Sequence, residues 1–321
     1  QVLAITCLVS IIWVFWGYSI AFTAGNAFFG GFSKLFLAGV TPDSQADTFT
    51  ATAKIPEYVF ICFQMTFACI TTALIVGDYS NGNDAIILKD KSELADIKGQ
   101  NVNLVELSVS HYLLARALET VGLKEADITV VNTSDADMVA AYATPDVTAV
   151  VTWNPLVSTI LDGGNANKVF DSSQIPGEII DIMMVNTDTL KENPDFGKAL
   201  VGAWYETMGI MSKDDEAGKA ARTSMAEASG TDLAGYDAQL ASTAMFYDPA
   251  KAVAFNKEEK LIETSKFVAQ FLFDHGILGE GAESPDFVGV EFPGGKTLGD
   301  TGNIKLRFDP TYMEMAADGK L

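Results

Sequence analysis

Two stretches of the chain are almost unbroken by polar residues. Gln1–Phe22 runs without a charge, and Ile55–Gly77 is a second apolar run with Glu57 alone near its start. At ~1.5 Å per helical residue, each is long enough to cross a hydrocarbon core of roughly 30 Å. Thr23–Lys54 between them is rich in Gly, Asp, Thr and Ser and reads as a loop. The pattern predicts an all-α, two-helix transmembrane hairpin over residues 1–77, in contact with membrane lipid. A buried hairpin in a soluble protein is the alternative. A signal peptide is not, because the first run is too long and has no basic start.

From Asp78 the pattern changes to short alternating elements. Ala85–Leu88 and Val102–Leu107 read as strands, with Gly99 at the turn between them. Ser108 to His111 opens a helix with apolar residues at Leu114, Ala117, Leu118 and Val121, and Gly122 is its expected stop. Ile128–Val131 reads as a strand, Asp135–Tyr142 as a helix and Val147–Thr152 as a strand. Longer helices are predicted over Pro194–Gly209, Asp214–Ser229 and Glu258–Gly276. Strand, helix, strand, helix, strand with short links implies a parallel βαβαβ unit in a doubly wound sheet. Residues 78–321 therefore form the second domain, and 244 residues can bury a full core.

Charge divides the chain at the same place. Residues 1–77 carry only Lys34, Lys54, Asp43, Asp47 and Glu57, so nearly all of the formal −21 lies beyond Gly77. An acidic surface excludes nucleic acid as a partner, since phosphates recruit Lys and Arg. All three cysteines (Cys7, Cys62, Cys69) precede the boundary, so the second domain has no disulfide framework.

Ligands in doubly wound sheets lie at the carboxyl ends of strands. Two positions meet that criterion. Ser108, Ser110 and His111 stand at a strand-to-helix turn, where hydroxyls and free N–H groups gather. Trp153 and Asn154 follow the Val147–Thr152 strand, and offer an indole and a carboxamide to a small planar solute. Ordinary roles compete with each: Ser110 as a plain cap, His111 as a solvent-facing first-turn residue, Trp153 as core filler. Gly295-Lys296-Thr297 suggests a phosphate loop, but Val290 stands where the motif needs its first glycine. A turn before a C-terminal strand is the better reading. No metal-ligand spacing stands out, and no cofactor is expected.

Gly17-Tyr18-Ser19-Ile20-Ala21-Phe22, Gly25-Asn26, Phe28-Phe29-Gly30, Ile55-Pro56-Glu57 and Phe63–Thr71 resemble the second and third membrane helices of the ammonium transporter family. The resemblance implies that Phe63 and Phe67, at i and i+4 on one helical face, are the remnant of a stacked pair that closes the outer mouth of a pore. The family has about eleven spans and a histidine pair on later helices. Here two spans are predicted, and the only histidines, His111 and His275, lie in the second domain. Two helices cannot enclose a pore.

Asp78-Tyr79-Ser80-Asn81-Gly82-Asn83-Asp84, Ser108–Leu114, Asn132–Asp137 and Val151–Pro155 are similar to a second family, and that likeness runs from about residue 72 to the C-terminus. It is the solute-binding proteins of ABC importers of the nitrate, sulfonate and taurine type, nearest their urea- or guanidine-related branch. This implies an α/β, type 2 periplasmic-binding-protein-like fold of two lobes, with a ligand cleft, hinge closure and no catalytic chemistry. It also implies a small nitrogenous solute, an ABC permease partner and a periplasmic location for the parent of this domain. Asn83 and Asp84 join Ser108, Ser110, His111, Trp153 and Asn154 as implied ligand-binding residues. The family's leader and the first half of its first lobe do not precede Asp78, so an incomplete first lobe with exposed strand edges is expected. Both families carry something close to Thr71–Gly77, which makes a chimera joined there the preferred reading. A membrane-anchored ammonium or nitrogen sensor is one alternative. A thiamine-pyrimidine synthase-like enzyme is another, disfavoured because that enzyme depends on cysteines.

Overall fold

The structure, a computed structural model, describes residues 70–321. Residues 1–69 of the expected membrane hairpin, with Phe63 and Phe67, lie outside the described residues; its last seven, Thr71–Gly77, are a strand and not the end of a helix. Among these, no helix is long and apolar enough to cross a membrane.

Thr71–Ser212 and Asp237–Leu321 form one compact unit built on two five-stranded sheets. Its first strand, β1 (Thr71–Tyr79), contains the whole Thr71–Gly77 heptapeptide. The run Ala73–Val76 is buried on both faces, as a central strand covered by helices on each side requires. It pairs antiparallel with β7 (Ile180–Asn186) and parallel with β10 (Ile304–Phe308). β8 (Gly289–Phe292) and β9 (Lys296–Leu298) complete the sheet in the order β7-β1-β10-β8-β9. β8, β9 and β10 of this sheet come from the C-terminal segment. Gly77 is held to glycine by close approach, because a Cβ there would sit 3.0 Å from the Trp204 ring of α5 (Pro194–Met211). The Gly294–Gly295 segment is the turn between β8 and β9, with φ of +80° and +75°, as expected for a turn rather than a phosphate loop.

The second sheet has the order β4-β3-β5-β2-β6, formed by β2 (Asp84–Lys89), β3 (Asn101–Leu104), β4 (Thr129–Asn132), β5 (Ala149–Trp153) and β6 (Ala166–Asp171). β3 is parallel to both β4 and β5, with α1 (Val109–Thr120) and α2 (Asp135–Ala143) as the connections. This is the expected βαβαβ unit. β2 departs from it by running antiparallel to β5 and β6. α1 begins at its Ser108 cap, whose Oγ accepts the Ser110 N–H, and ends at Gly122 with φ of +70°. α3 (Leu156–Asp162) and α4 (Thr187–Glu192) follow β5 and β7.

The chain passes between the sheets at Ser80–Asn83 and again over 172–179. A third crossing is helical. After α8 (Pro249–Lys257), α9 (Glu259–Asp274) places Leu261 in the core of the first sheet and Phe271 in that of the second. α10 (Thr311–Ala317) closes the chain. Residues 213–236 form a separate unit, in which α6 (Glu216–Ala228) carries Arg222, hydrogen-bonded to the Lys213 carbonyl at 2.8 Å. α7 (Leu233–Ala241) leads back into the main unit.

Candidate functional site

The parallel strands β3, β4 and β5 all end on one edge of the second sheet, and antiparallel β2 begins there. That edge collects Asp84 and Trp153 as direct cross-strand partners, a pairing that places their side chains on the same face. Asn154 sits beside them, donating its backbone N–H to the Asn83 carbonyl at 3.0 Å. The Asn154 carboxamide oxygen is occupied by Ser158, which donates from both N and Oγ, at 3.1 and 2.7 Å. Its Nδ2 faces Ser242 Oγ at 3.4 Å, and that hydroxyl lies 3.5 Å from Asn83 Oδ1. Asn83, Asp84, Trp153 and Asn154 are therefore brought together, and Ser242 joins them from the first lobe.

The same edge meets the first crossing. Ser80 Oγ donates to Asp84 Oδ2 at 2.5 Å and lies 2.6 Å from Ser172 Oγ in the second crossing. Ser172 Oγ also accepts the Gly82 N–H at 2.8 Å. Two buried serines thus tie the two crossings to each other and to the candidate acid. Burial pushes the Asp84 carboxyl up to about 6; the Ser80 hydrogen bond opposes this and the Asp181 charge adds to it. Asp78 and Asp181 are cross-strand partners on β1 and β7. Asp78 is buried and carried up to about 7, by desolvation first and then by Asp181, while Asp181 is shifted in the same direction by burial. Burial also raises Asp135 at the start of α2, to about 6.

The Ser108 turn is shaped differently from expectation. Ser108 Oγ donates to the Val105 carbonyl at 2.6 Å while accepting from Ser110. Ser110 is fully buried, and its Oγ has no partner among the described residues. His111 is buried rather than solvent-facing, in contact with Phe271, His275 and Glu125. Ser80, Ser172, Asp181 and Ser242 escaped the sequence reading. Each is an ordinary residue until the strand register and the two crossings bring it to the site.

The edge presents carboxylates, hydroxyls and an indole. Arg116 of α1 is bound to Glu178 at 2.8 Å and Lys168 of β6 to Asp171 at 2.5 Å, so neither cation is free for an anion. Such a surface can stack a planar group and accept hydrogen bonds from N–H donors.

Comparison with known proteins separates the chain into the same two parts. Residues 1–84 match the model of the Ammonium Transporter Family. The ammonium transporter of Bacillus subtilis (strain 168) is 44% identical over 75 residues, 23% of this chain and 17% of that protein. The taurine-binding periplasmic protein of Escherichia coli (strain K12) is 25% identical over 134 residues, 40% of this chain and 41% of that protein. The chain therefore spans less than half the length of these curated relatives. In fold it is similar to the periplasmic aliphatic sulphonate binding protein from Escherichia coli, with a TM-score of 0.57 and 19% identity over 70% of this chain and 74% of that one. The two family matches overlap at residues 64–84, a window that contains Thr71–Gly77. Since the model of the NMT1-like family covers residues 64–226, just over half of the sequence, the chain belongs to that family.

Proposed function

We propose that the two-sheet unit is the solute-binding component of an ABC importer, and that it takes a small nitrogenous solute of the urea or guanidine type. The observation that carries this reading is the Asp84–Trp153 pair at the edge of the second sheet, next to both hinge crossings. A planar solute stacks on the Trp153 indole while its N–H groups donate to Asp84. Ser242 and Asn154 supply polar contacts from the first lobe and from the β5 end. Nitrate- or taurine-type anions fit less well, because Arg116 and Lys168 are already committed to carboxylates. The part binds and delivers, handing its solute to a permease on the periplasmic side. The segment before Thr71 is the remnant of an ammonium transporter, placed in the membrane by that likeness and fused to the binding unit at the shared heptapeptide. This remnant conducts nothing by itself, because a piece with two of the family's spans leaves no enclosed polar path. Methylammonium uptake into liposomes carrying only this chain is the outcome that contradicts the last point.

Calorimetry with guanidinium chloride and with urea tests the solute. Trp153→Ala and Asp84→Asn are each expected to weaken binding at least tenfold, about 1.4 kcal/mol. Unchanged affinity in both variants discards the site. Tight binding of taurine or nitrate, with no heat from either nitrogenous solute, discards the solute class.

A further inference from the structure

Leu107 has a φ of +61°. A branched residue occupies this left-handed region only against steric strain, so something must hold it. The Leu107 N–H donates to His111 Nδ1 at 3.1 Å. Because Nδ1 accepts, the ring proton of His111 sits on Nε2, which faces Glu125 Oε2 at 3.3 Å. The two oxygens of Glu125 also each lie 3.1 Å from His275 Nε2. His275 Nδ1 in turn lies 2.8 Å from the Phe271 carbonyl, an acceptor. Hydrogen bonds from His111 first, and from His275, hold the Glu125 carboxyl below its ordinary range against the opposing effect of burial. Rings seal the group: Phe271 meets His111 edge-on at 5.5 Å, and the two imidazoles meet at 4.7 Å.

We propose that His275, Glu125 and His111 form a positioning relay that runs from the end of α9 to the Leu107 backbone and sets the Ser108 turn at the carboxyl end of β3. The amides of residues 110–112 all end on Ser108: Ser110 on its Oγ, His111 and Tyr112 on its carbonyl, each at 3.1 Å. The conformation of Leu107 therefore fixes where Ser108 presents its groups. α9 is the helical crossing between the sheets, so the relay links the turn to an element anchored in both cores. Its bearing on solute binding rests on the function proposed above. The relay itself does not.

A metal ion is the competing explanation, since the three side chains bring donor atoms within 4.8 Å of one another. His275 suits that role, with Nδ1 held by a carbonyl. His111 does not. Ligation through its Nε2 requires a proton on Nδ1, where the Leu107 N–H already points. His111 therefore donates to Glu125 and does not serve as a metal ligand.

Residue-resolved amide exchange on the purified full chain tests the relay without reference to any solute. His111→Phe keeps the ring packing and removes both nitrogens. It is expected to speed exchange at positions 110–112 at least tenfold. Glycine adopts positive φ freely, so in a Leu107→Gly background the same change should add less than threefold. An equal effect in both backgrounds means His111 acts by packing alone and overturns the proposal, as does no effect in either. If His111→Phe also loosens β2 and β5, Glu125→Ala and Glu125→Gln decide the matter. Alanine should speed the same amides tenfold, and glutamine, which keeps an acceptor for His111, should largely restore them. Equal exchange in those two variants overturns the relay. So does stoichiometric Zn²⁺ binding, at submicromolar concentration, that is lost in Glu125→Ala.

Discussion

Replacing Glu178 by alanine is expected to lower the unfolding free energy of the main unit by about 3 kcal/mol. Glu178 stands at the end of the second crossing, and its side chain is only 8% exposed. Arg116 reaches it as a fork, Nε to Oε2 at 2.8 Å and Nη2 to Oε1 at 3.1 Å. The Tyr112 hydroxyl donates to the same Oε2 at 2.6 Å, and burial raises its phenol and keeps it protonated as a donor. The Arg116 guanidinium also lies over the Phe267 ring of α9, 4.0 Å from its centroid. One carboxylate therefore joins α1, the second crossing and, through Arg116, the helical crossing. Removing it strands a guanidinium that is 17% exposed and an unpaired buried hydroxyl. Glu119 also pairs with Arg116, but from a largely exposed position, and compensates little. Chemical denaturation of Glu178→Ala, Arg116→Ala and the double variant measures the coupling. A value of at least 1 kcal/mol is expected, and a value near zero refutes the account.

The same network shows why the second domain was only partly legible in the sequence. α1 was readable because its signals are local: the Ser108 cap, the apolar spacing from Leu114 to Val121, and a glycine at 122. The βαβαβ connections followed from alternation over short stretches. Partners distant in sequence left no such trace. Arg116 and Glu178 are 62 residues apart, and His275 lies 150 residues from Glu125. Strand direction was equally silent, since β2 reads the same whether parallel or antiparallel to β5. Thr71–Gly77 shows the ambiguity most sharply. A continuous apolar run suits the end of a membrane helix or a strand buried on both faces, and within the described residues it is the central strand β1. Trp153 and Asn154 were legible as residues at the carboxyl end of a strand, Asn83 and Asp84 through likeness to solute-binding proteins, and the β2–β5 register brings them together. Spacing placed His111 correctly on α1 but carried no information on its burial.

Asp78→Asn is expected to raise stability at pH 8 by about 2 kcal/mol and to leave it nearly unchanged at pH 4. Asp78 and Asp181 face each other across β1 and β7, a like-charge pair in direct register. Asp78 is 8% exposed, and one of its oxygens has no partner among the described residues. Its carboxyl is carried up to about 7, by burial first and then by Asp181. The folded state thus holds a proton that the unfolded chain releases near its ordinary value. Below that value both states are protonated and the group contributes no penalty. As pH rises toward 7 the unfolded state gains by releasing the proton, so stability falls with pH and levels off once the folded Asp78 also ionises. A shift of this size is worth about 4 kcal/mol unscreened. Burying an asparagine amide in its place costs part of that gain, which supports the smaller figure. Asparagine keeps the shape and a donor toward Asp181 but cannot ionise, so it removes the pH dependence along with the penalty. Denaturation curves from pH 4 to pH 8 should show the gap between variant and wild type opening toward pH 7 and then holding constant. A variant less stable than wild type at pH 8, or a gap independent of pH, would mean that folding does not raise the Asp78 carboxyl and that its burial beside Asp181 carries no ionisation penalty.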